Sequence, residues 1–249
     1  MSNDSQQLRD LLAASERTVI FTGAGISTES GIPDFRSPGG MWSHTTPVYF
    51  QDFLASVEAR TKAWQQKLDM HQDMAVAKPN RGHRAVEKLI RAGAASHVIT
   101  QNIDGLHQIS GIGKEQIIEL HGNGTYASCL TCKHRYELAA LLEDFAQSQC
   151  PPECAQCGGL VKTATVSFGQ SMPEVAMHRA EQATRACDLF IAIGSSLVVY
   201  PAASFPMVAK RAGAKLVILN REPTELDQHA DLVLNSEIGP TLGDAVGVN

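Results

Sequence analysis

The chain has 249 residues, 43% of them hydrophobic, enough for one large domain or a domain with a small module. Its net charge of −5 comes from scattered charges, which excludes a basic footprint for non-specific nucleic-acid binding. No apolar run approaches the roughly 20 residues of a membrane span, and the polar, amphipathic stretch 1–17 lacks the apolar core of a secretory signal.

Leu8, Leu11 and Leu12 stand at helical spacing, so residues 5–16 read as an amphipathic helix. Thr18-Val19-Ile20-Phe21 then reads as a buried strand. Behind it runs Gly23-Ala24-Gly25-Ile26-Ser27-Thr28, a tight glycine turn and a polar segment opening a helix. Such a turn holds phosphates, because glycine lets the backbone approach and free N–H groups face the anion. As a dinucleotide fingerprint it is incomplete. Thr28 replaces the third glycine, and no acidic residue stands about 20 positions on for the ribose. The run continues to Pro33-Asp34-Phe35-Arg36, followed by a breaker-rich stretch over 37–48 that is expected to be mobile.

Residues 50–75 read as helical. Pro79-Asn80 opens another helix with Ala85, Leu89 and Ile90 inward. A strand at 97–101, a short helix around 103–109 and a strand at 116–120 follow. Over 125–163 the periodic segments shrink and cysteines, prolines and glycines appear, the mark of an inserted module. Then come a helix over 174–186, strand 189–193, helix 201–212, and strands 216–219 and 231–234. Strands alternating with helices predict an α/β fold, a Rossmann-like parallel sheet covered on both faces.

Cys129-Leu-Thr-Cys132 and Cys154-Ala-Gln-Cys157 are two C-x-x-C pairs with 21 residues between them. Two such knuckles complete a four-thiolate zinc site, structural because its shell is full. A redox dithiol is the competing chemistry, and Cys150 is a poorer substitute for Cys154. The absence of a secretory signal favours reduced, metal-binding thiols. Cys187 precedes an apolar strand and is expected in the core.

Three polar stretches follow predicted strands: Gln101-Asn102-Ile103-Asp104, His121-Gly122 and Gly194-Ser195-Ser196. In open α/β sheets ligands bind beyond the carboxyl ends of the strands, so these loops and the glycine turn can converge. Each has a plainer role available. Asn102 and Asp104 suit a helix N-cap, and a lone histidine is often simply hydrogen-bonded.

Together these motifs closely resemble the sirtuins, NAD-dependent protein-lysine deacylases, in a compact bacterial form. Gly23-Ala24-Gly25-Ile26-Ser27, Gly31-Ile32-Pro33-Asp34-Phe35-Arg36, Thr100-Gln101-Asn102-Ile103-Asp104, His121-Gly122, the four cysteines, Cys157-Gly158-Gly159, Phe168-Gly169, Gly194-Ser195-Ser196 and Asn220 stand in family order. They cover about residues 18–235.

The resemblance implies a Rossmann-type NAD-binding domain from residues 1–36, 81–124 and 164–249. A smaller domain would combine the helical segment 37–80 with the zinc module 125–163. Phosphates would rest on Gly23, Ala24, Gly25, Ser195 and Ser196, with Gly194 and Ser27 beside them. Asn220 would take the adenosine ribose. Asn102 and Asp104, with Ile103, would line the nicotinamide pocket, Gln101, Pro33, Asp34 and Phe35 would also bind the cofactor, and Arg36 would help order the mobile loop. His121 would be the general base, drawing a proton through the ribose hydroxyls so that the acyl group passes to ADP-ribose. Histidine suits this because it titrates near working pH. Products would be nicotinamide, free lysine and 2′-O-acyl-ADP-ribose.

The partners implied are acyl-lysine proteins or peptides. The substrate would add as an extended strand between 166–169 and 197–200, its acyl-lysine passing Val166, Phe168, Gly169 and Val199. No nucleic acid or membrane partner is expected, and a cytoplasmic monomer is. The chain departs from the common pattern at Lys162-Thr163, where Arg-Pro is frequent, and at Gln170, where Glu is usual. The Tyr-x-x-Arg pair of succinyl- and malonyl-preferring relatives is missing from 60–80, whose only arginine is Arg60. Acetyl or longer neutral chains are therefore expected. Two other activities share these motifs: ADP-ribosyl transfer or NAD hydrolysis by the same ribose chemistry, and NAD sensing without turnover.

Overall fold

The computed structural model describes residues 2–35 and 40–249. Six parallel strands form the main sheet: β1 (Thr18–Thr22), β2 (Ala95–Thr100), β3 (Ile117–Glu119), and, further along the chain, Leu189–Ile193, Lys215–Leu219 and Leu232–Leu234. Between them in sequence lies a second sheet of β4 (Gly122–Cys129), β5 (Arg135–Glu137) and β6 (Val161–Thr165), which makes the later three β7, β8 and β9. The main sheet runs β3-β2-β1-β7-β8-β9 and the small one β5-β4-β6. The chain reverses direction across the sheet between β1 and β7, so the Rossmann-like switch point lies at their carboxyl ends.

Alternation along the strands fills both faces. Ile20 of β1 and Ile191 and Ile193 of β7 point to one side. There α1 (Asn3–Ala14) brings Leu8, α4 (Arg81–Arg91) brings Ala85 and Leu89, and α9 (Ile238–Val246) brings Leu242. Val19, Phe21, Phe190 and Ala192 point to the other side, against Ala180 of α7 (Glu174–Ala186) and Phe205 and Ala209 of α8 (Phe205–Arg211). The strands are buried on both faces, as a parallel sheet between helix layers must be.

A third cluster belongs to the small sheet. Leu138, Leu142 and Phe145 of α6 (Leu138–Ser148) pack with Val161, Ala127 and Trp64. Trp64 comes from α3 (Val57–Val76), and its indole N–H donates to the Val161 carbonyl at 3.3 Å. One buried tryptophan therefore joins the long helix to the cysteine module. The boundaries drawn from sequence at 124/125 and 163/164 fall inside β4 and β6.

Several elements differ from expectation. The predicted helix over 50–75 is two, α2 (Phe50–Ala55) and α3, because Ser56 is extended and caps α3 by accepting from Ala59 N–H. The segment after Gly23 is a 3-10 helix, Ala24–Ser30. The helix expected around 103–109 is the single turn α5 (Leu106–Ile109). Helix α9 was not foreseen, since its glycines and proline obscure the periodicity, nor were the small sheet and α6. Arg36, and residues 37–39 of the stretch 37–48 expected to be mobile, lie outside the described residues.

Trp64→Ala should destabilise the protein by about 3–5 kcal/mol, the usual loss on truncating a fully buried tryptophan. Urea unfolding followed by circular dichroism measures it; a loss below about 1 kcal/mol would show that the helix and module are not joined there.

Candidate active site

The site begins with two turns that touch. Gly25 N–H donates to the Gly194 carbonyl at 2.8 Å, and Gly23 N–H donates to Ile193 O at 2.9 Å. A β-carbon on Gly25 would stand 2.7 Å from Gly194 Cα, and one on Gly23 2.7 Å from Gly194 O. Side chains are excluded there, and the Gly23 and Gly25 N–H groups are used in joining the two turns.

Beyond these turns lies a cleft of about 790 Å³. It gathers nearly every residue that the sequence nominated: Gly23, Ala24, Gly25, Pro33, Asp34, Phe35, Gln101, Asn102, Ile103, His121, Gly194, Ser195, Ser196 and Asn220. Val166, Phe168, Gly169 and Val199 line it as well. Ser27 and Asp104 line a small adjoining pocket of about 30 Å³, with Met70 and Met74 of α3. Of the nominated cleft residues only Arg36 lies outside the described structure.

Hydrogen bonds tie the loops together. Ser27 hydroxyl donates to Asp104 Oδ2 at 2.7 Å and accepts from Asn102 Nδ2 at 3.2 Å. Asn102 Nδ2 also donates to Gly23 O at 3.1 Å. Asp104 Oδ1 accepts from Leu106 N–H at 2.9 Å. Asp104 thus closes an Asx turn beside the cleft, while the N-cap of α5 is Gly105, so neither Asn102 nor Asp104 is the helix cap expected. Burial raises the Asp104 carboxyl above the ordinary range, against the lowering effect of these donors. Gln101 Nε2 donates to Ser195 Oγ at 2.8 Å, joining the loop after β2 to that after β7.

His121 Nδ1 lies 3.0 Å from the Gln101 carbonyl oxygen. A carbonyl can only accept, so Nδ1 carries a proton, and in the neutral ring Nε2 carries the lone pair. At the cleft mouth the Tyr49 and Phe168 rings lie 5.9 Å apart. Phe168, Val198 and Tyr200 are exposed, an apolar rim on both sides of the opening.

The four cysteine sulfurs of Cys129, Cys132, Cys154 and Cys157 all lie within 4.8 Å of one another. Cys129–Cys157 and Cys132–Cys154 are each 3.6 Å apart. Zinc–sulfur bonds of about 2.3 Å in a tetrahedron give sulfur–sulfur edges of about 3.8 Å. The spacing fits that shell, and four sulfurs gather round one point where a redox pair needs only two. Each knuckle ends in the same left-handed turn, at Lys133 (φ 64°) and at Gly158 (φ 70°). Tyr136 hydroxyl donates to Cys154 Sγ at 3.1 Å. Cys150 is exposed and outside the cluster, and Cys187 is buried as expected.

The sequence missed two buried amines in the cleft wall. Lys162 Nζ donates to the Thr165 carbonyl at 2.6 Å. Lys67 Nζ, on α3, meets the Met74 sulfur at 3.4 Å. Burial pushes both down to about 8. Periodicity offered no signal for either, because lysine is normally read as a solvated helix or strand face.

A Rossmann-type sheet, glycine turns meeting at its switch point, and a four-cysteine metal module define a nucleotide-binding enzyme of a particular architecture. The Sir2 family matches over residues 23–201. An NAD-dependent protein deacetylase of Rhodopseudomonas palustris is 57% identical over 99% of this chain and 98% of its own. An NAD-dependent protein deacylase 2 of Archaeoglobus fulgidus is 39% identical over 97% and 94%. A solved Sir2 structure with a p53 peptide and NAD+ superposes with a TM-score of 0.88, at 37% identity, over 97% of this chain and 96% of that one. The chain belongs to the Sir2 family, as its motifs suggested. No helix among the described residues is long and apolar enough to cross a membrane.

Lys67→Met should raise Tm at pH 7. The folded amine has its pKa lowered to about 8 against 10.5 for the ordinary group, so burying the charge opposes folding at neutral pH. Between those values the unfolded chain binds the extra proton, and stability from this group rises with pH. The gain in Tm should therefore shrink from pH 8 towards 10. A Tm gain that stays constant over that range would refute the assignment.

Proposed function

We propose that this protein is an NAD-dependent protein-lysine deacylase, releasing nicotinamide, free lysine and 2′-O-acyl-ADP-ribose. The observation that carries the proposal is the fixed tautomer of His121, whose Nε2 lone pair belongs to the same cleft as the glycine turns. A protein that only binds nucleotide has no need of an oriented base there.

The residues fit NAD. The close approach of Gly23 and Gly25 to Gly194, which any Cβ would block, leaves room for the pyrophosphate against the turns, with Ala24, Ser195 and Ser196 beside it. Asn220, held at the end of β8 by donation to Glu222 O at 2.6 Å, suits the adenosine ribose. Asn102, Ile103 and Asp104 shape the small pocket for nicotinamide. NAD, when bound, supplies an activated ribose carbon with nicotinamide as its leaving group.

The chain's own work is then binding, orientation and one proton transfer. Gln101 O holds His121 Nδ1–H, so Nε2 takes the proton of a ribose hydroxyl. Ser27 links Asn102 to Asp104 and fixes the pocket's edge. The apolar rim of Phe168, Val198 and Tyr200 receives an extended acyl-lysine peptide between 166–169 and 197–200. Cys129, Cys132, Cys154 and Cys157 hold one zinc ion. With four thiolates its shell is closed, so it supports the small sheet and takes no part in the reaction.

The same reading keeps the two-part division of the chain: 1–36, 81–124 and 164–249 against 37–80 and 125–163. The separate hydrophobic clusters of the two sheets support it. It also makes the protein a cytoplasmic monomer acting on neutral acyl chains.

The deciding experiment mixes purified protein, NAD and acetyl-, succinyl- and long-acyl-lysine peptides, and follows peptide mass and nicotinamide. Acyl loss should require NAD, and His121→Ala should slow it about 10²–10⁴-fold, the usual worth of a general base. Nicotinamide release without acyl loss would favour ADP-ribosyl transfer or NAD hydrolysis instead. Metal analysis should return one zinc per chain. Stripping it with a strong chelator should lower Tm and end activity, because metal binding contributes directly to folding of such modules; unchanged Tm after complete removal would contradict a structural metal.

A further inference from the structure

Two histidines untouched by the reaction are buried behind the cleft. His83 lies in the first turns of α4 and His107 in α5; they are 0% and 1% exposed. Their ring centroids are 5.1 Å apart. Neighbours set both tautomers. Thr22 Oγ1 gives its one proton to Thr100 Oγ1 at 2.8 Å. It must therefore accept from His107 Nε2, which lies 2.9 Å away and so carries the proton. His107 Nδ1 then bears the lone pair. His83 Nδ1 accepts from Asn80 backbone N–H at 3.4 Å, so His83 Nε2 bears the proton. The two remaining nitrogens, His83 Nε2 and His107 Nδ1, are buried and have no hydrogen-bond partner, each other included.

The hydroxyl chain leads to the cleft. Thr100 Oγ1 accepts from Asn102 backbone N–H at 3.0 Å. Asn102 in turn holds the Gly23 carbonyl and the Ser27 hydroxyl. A run of defined donors and acceptors therefore links α5 to the residue that joins the nicotinamide pocket to the glycine turn. Burial keeps both imidazoles well below the ordinary histidine range, His83 at about 4 and His107 at about 3. Both are neutral at pH 7, and the donor order does not change near it.

We propose that His107 is a positioning residue for Asn102, acting through Thr22 and Thr100. Buried chains of this kind are rigid because reversing any member leaves a polar atom unpaired. The inference rests on the deacylase reading, and it assigns the relay to the nicotinamide end of the site. The adenosine and phosphate contacts are made elsewhere, at Asn220, Ser195 and Ser196.

Full-length, zinc-loaded protein tests it with His107→Leu, His107→Asn and Thr22→Val. Two readouts separate positioning from general damage: nicotinamide release at saturating NAD and acetyl-peptide, and calorimetric binding of ADP-ribose, which lacks the nicotinamide. His107→Leu and Thr22→Val should each slow release about tenfold or more, the scale of a small misplacement in a site. ADP-ribose affinity should stay within about threefold. The double variant should be no slower than the worse single, because both cut one chain. His107→Asn, which restores an N–H donor, should recover part of the rate. Release within about twofold of the parent, a parallel fall in ADP-ribose affinity, or effects that multiply in the double variant would each overturn the inference. Should His107→Leu not fold, Thr22→Val decides, since it exchanges one hydroxyl for a methyl. A parent that releases neither nicotinamide nor acyl group defeats the deacylase reading and the relay together; an active parent with unaffected variants defeats the relay alone.

Discussion

Backbone lies directly against backbone where the turn after β1 meets the turn after β7, and the rest of the site depends on that contact. Parallel strands place both turns at the same edge of the sheet. Only residues without a β-carbon allow the Gly25 N–H to reach the Gly194 carbonyl. Once the turns are joined, the loop after β2 has one place to go. Its Asn102 amide is drawn to Gly23 O and Ser27, and its Gln101 amide to Ser195. The carbonyl of Gln101 then stands where it fixes the His121 ring. Four strand ends are thus brought to one opening by short polar contacts, each of which uses a donor or acceptor that would otherwise be buried unpaired.

The cysteine module closes the other side of the cleft by different physics. Its sheet is too small for a sufficient core of its own, and four thiols within one cluster supply what burial does not. Trp64 carries this stiffness across to α3, and β6 runs on into the Phe168 rim. One wall of the cleft is therefore set by hydrophobic strands and the other by a metal-type cluster. Lys67 and Lys162 lie between them, buried at a cost in desolvation that the cleft's function must justify.

The small pocket under Asn102 and Asp104 is lined by residues that also shape the backbone before α5. Asp104 closes the turn at Leu106 with one oxygen and holds Ser27 with the other. The same hydrogen bonds that form the turn fix the pocket edge, so a substitution at Asp104 affects both.

Much was determined by the sequence alone. The alternation of buried strands and helices fixed a parallel sheet, because only helix-covered strands can be apolar on both sides. Two C-x-x-C pairs fixed the cysteine cluster, since a two-residue spacer turns both sulfurs to one point. Glycines, His121, Asn102 and Asp104 were legible as residues that follow strands, whose ends converge in such sheets, and Asn220 through the family resemblance. The break at Ser56, helix α9 and the sheet within the cysteine module were not legible. Their local signals are weak, and packing against distant elements decides them. Nor were the proton placement on His121, the buried state of Lys67 and Lys162, or the chain from His107 to Asn102. A histidine's proton is placed by whichever acceptor the fold brings to it, and a lysine's solvation by which helix covers it. Those partners lie tens of residues away in the chain, so only the tertiary structure decides them.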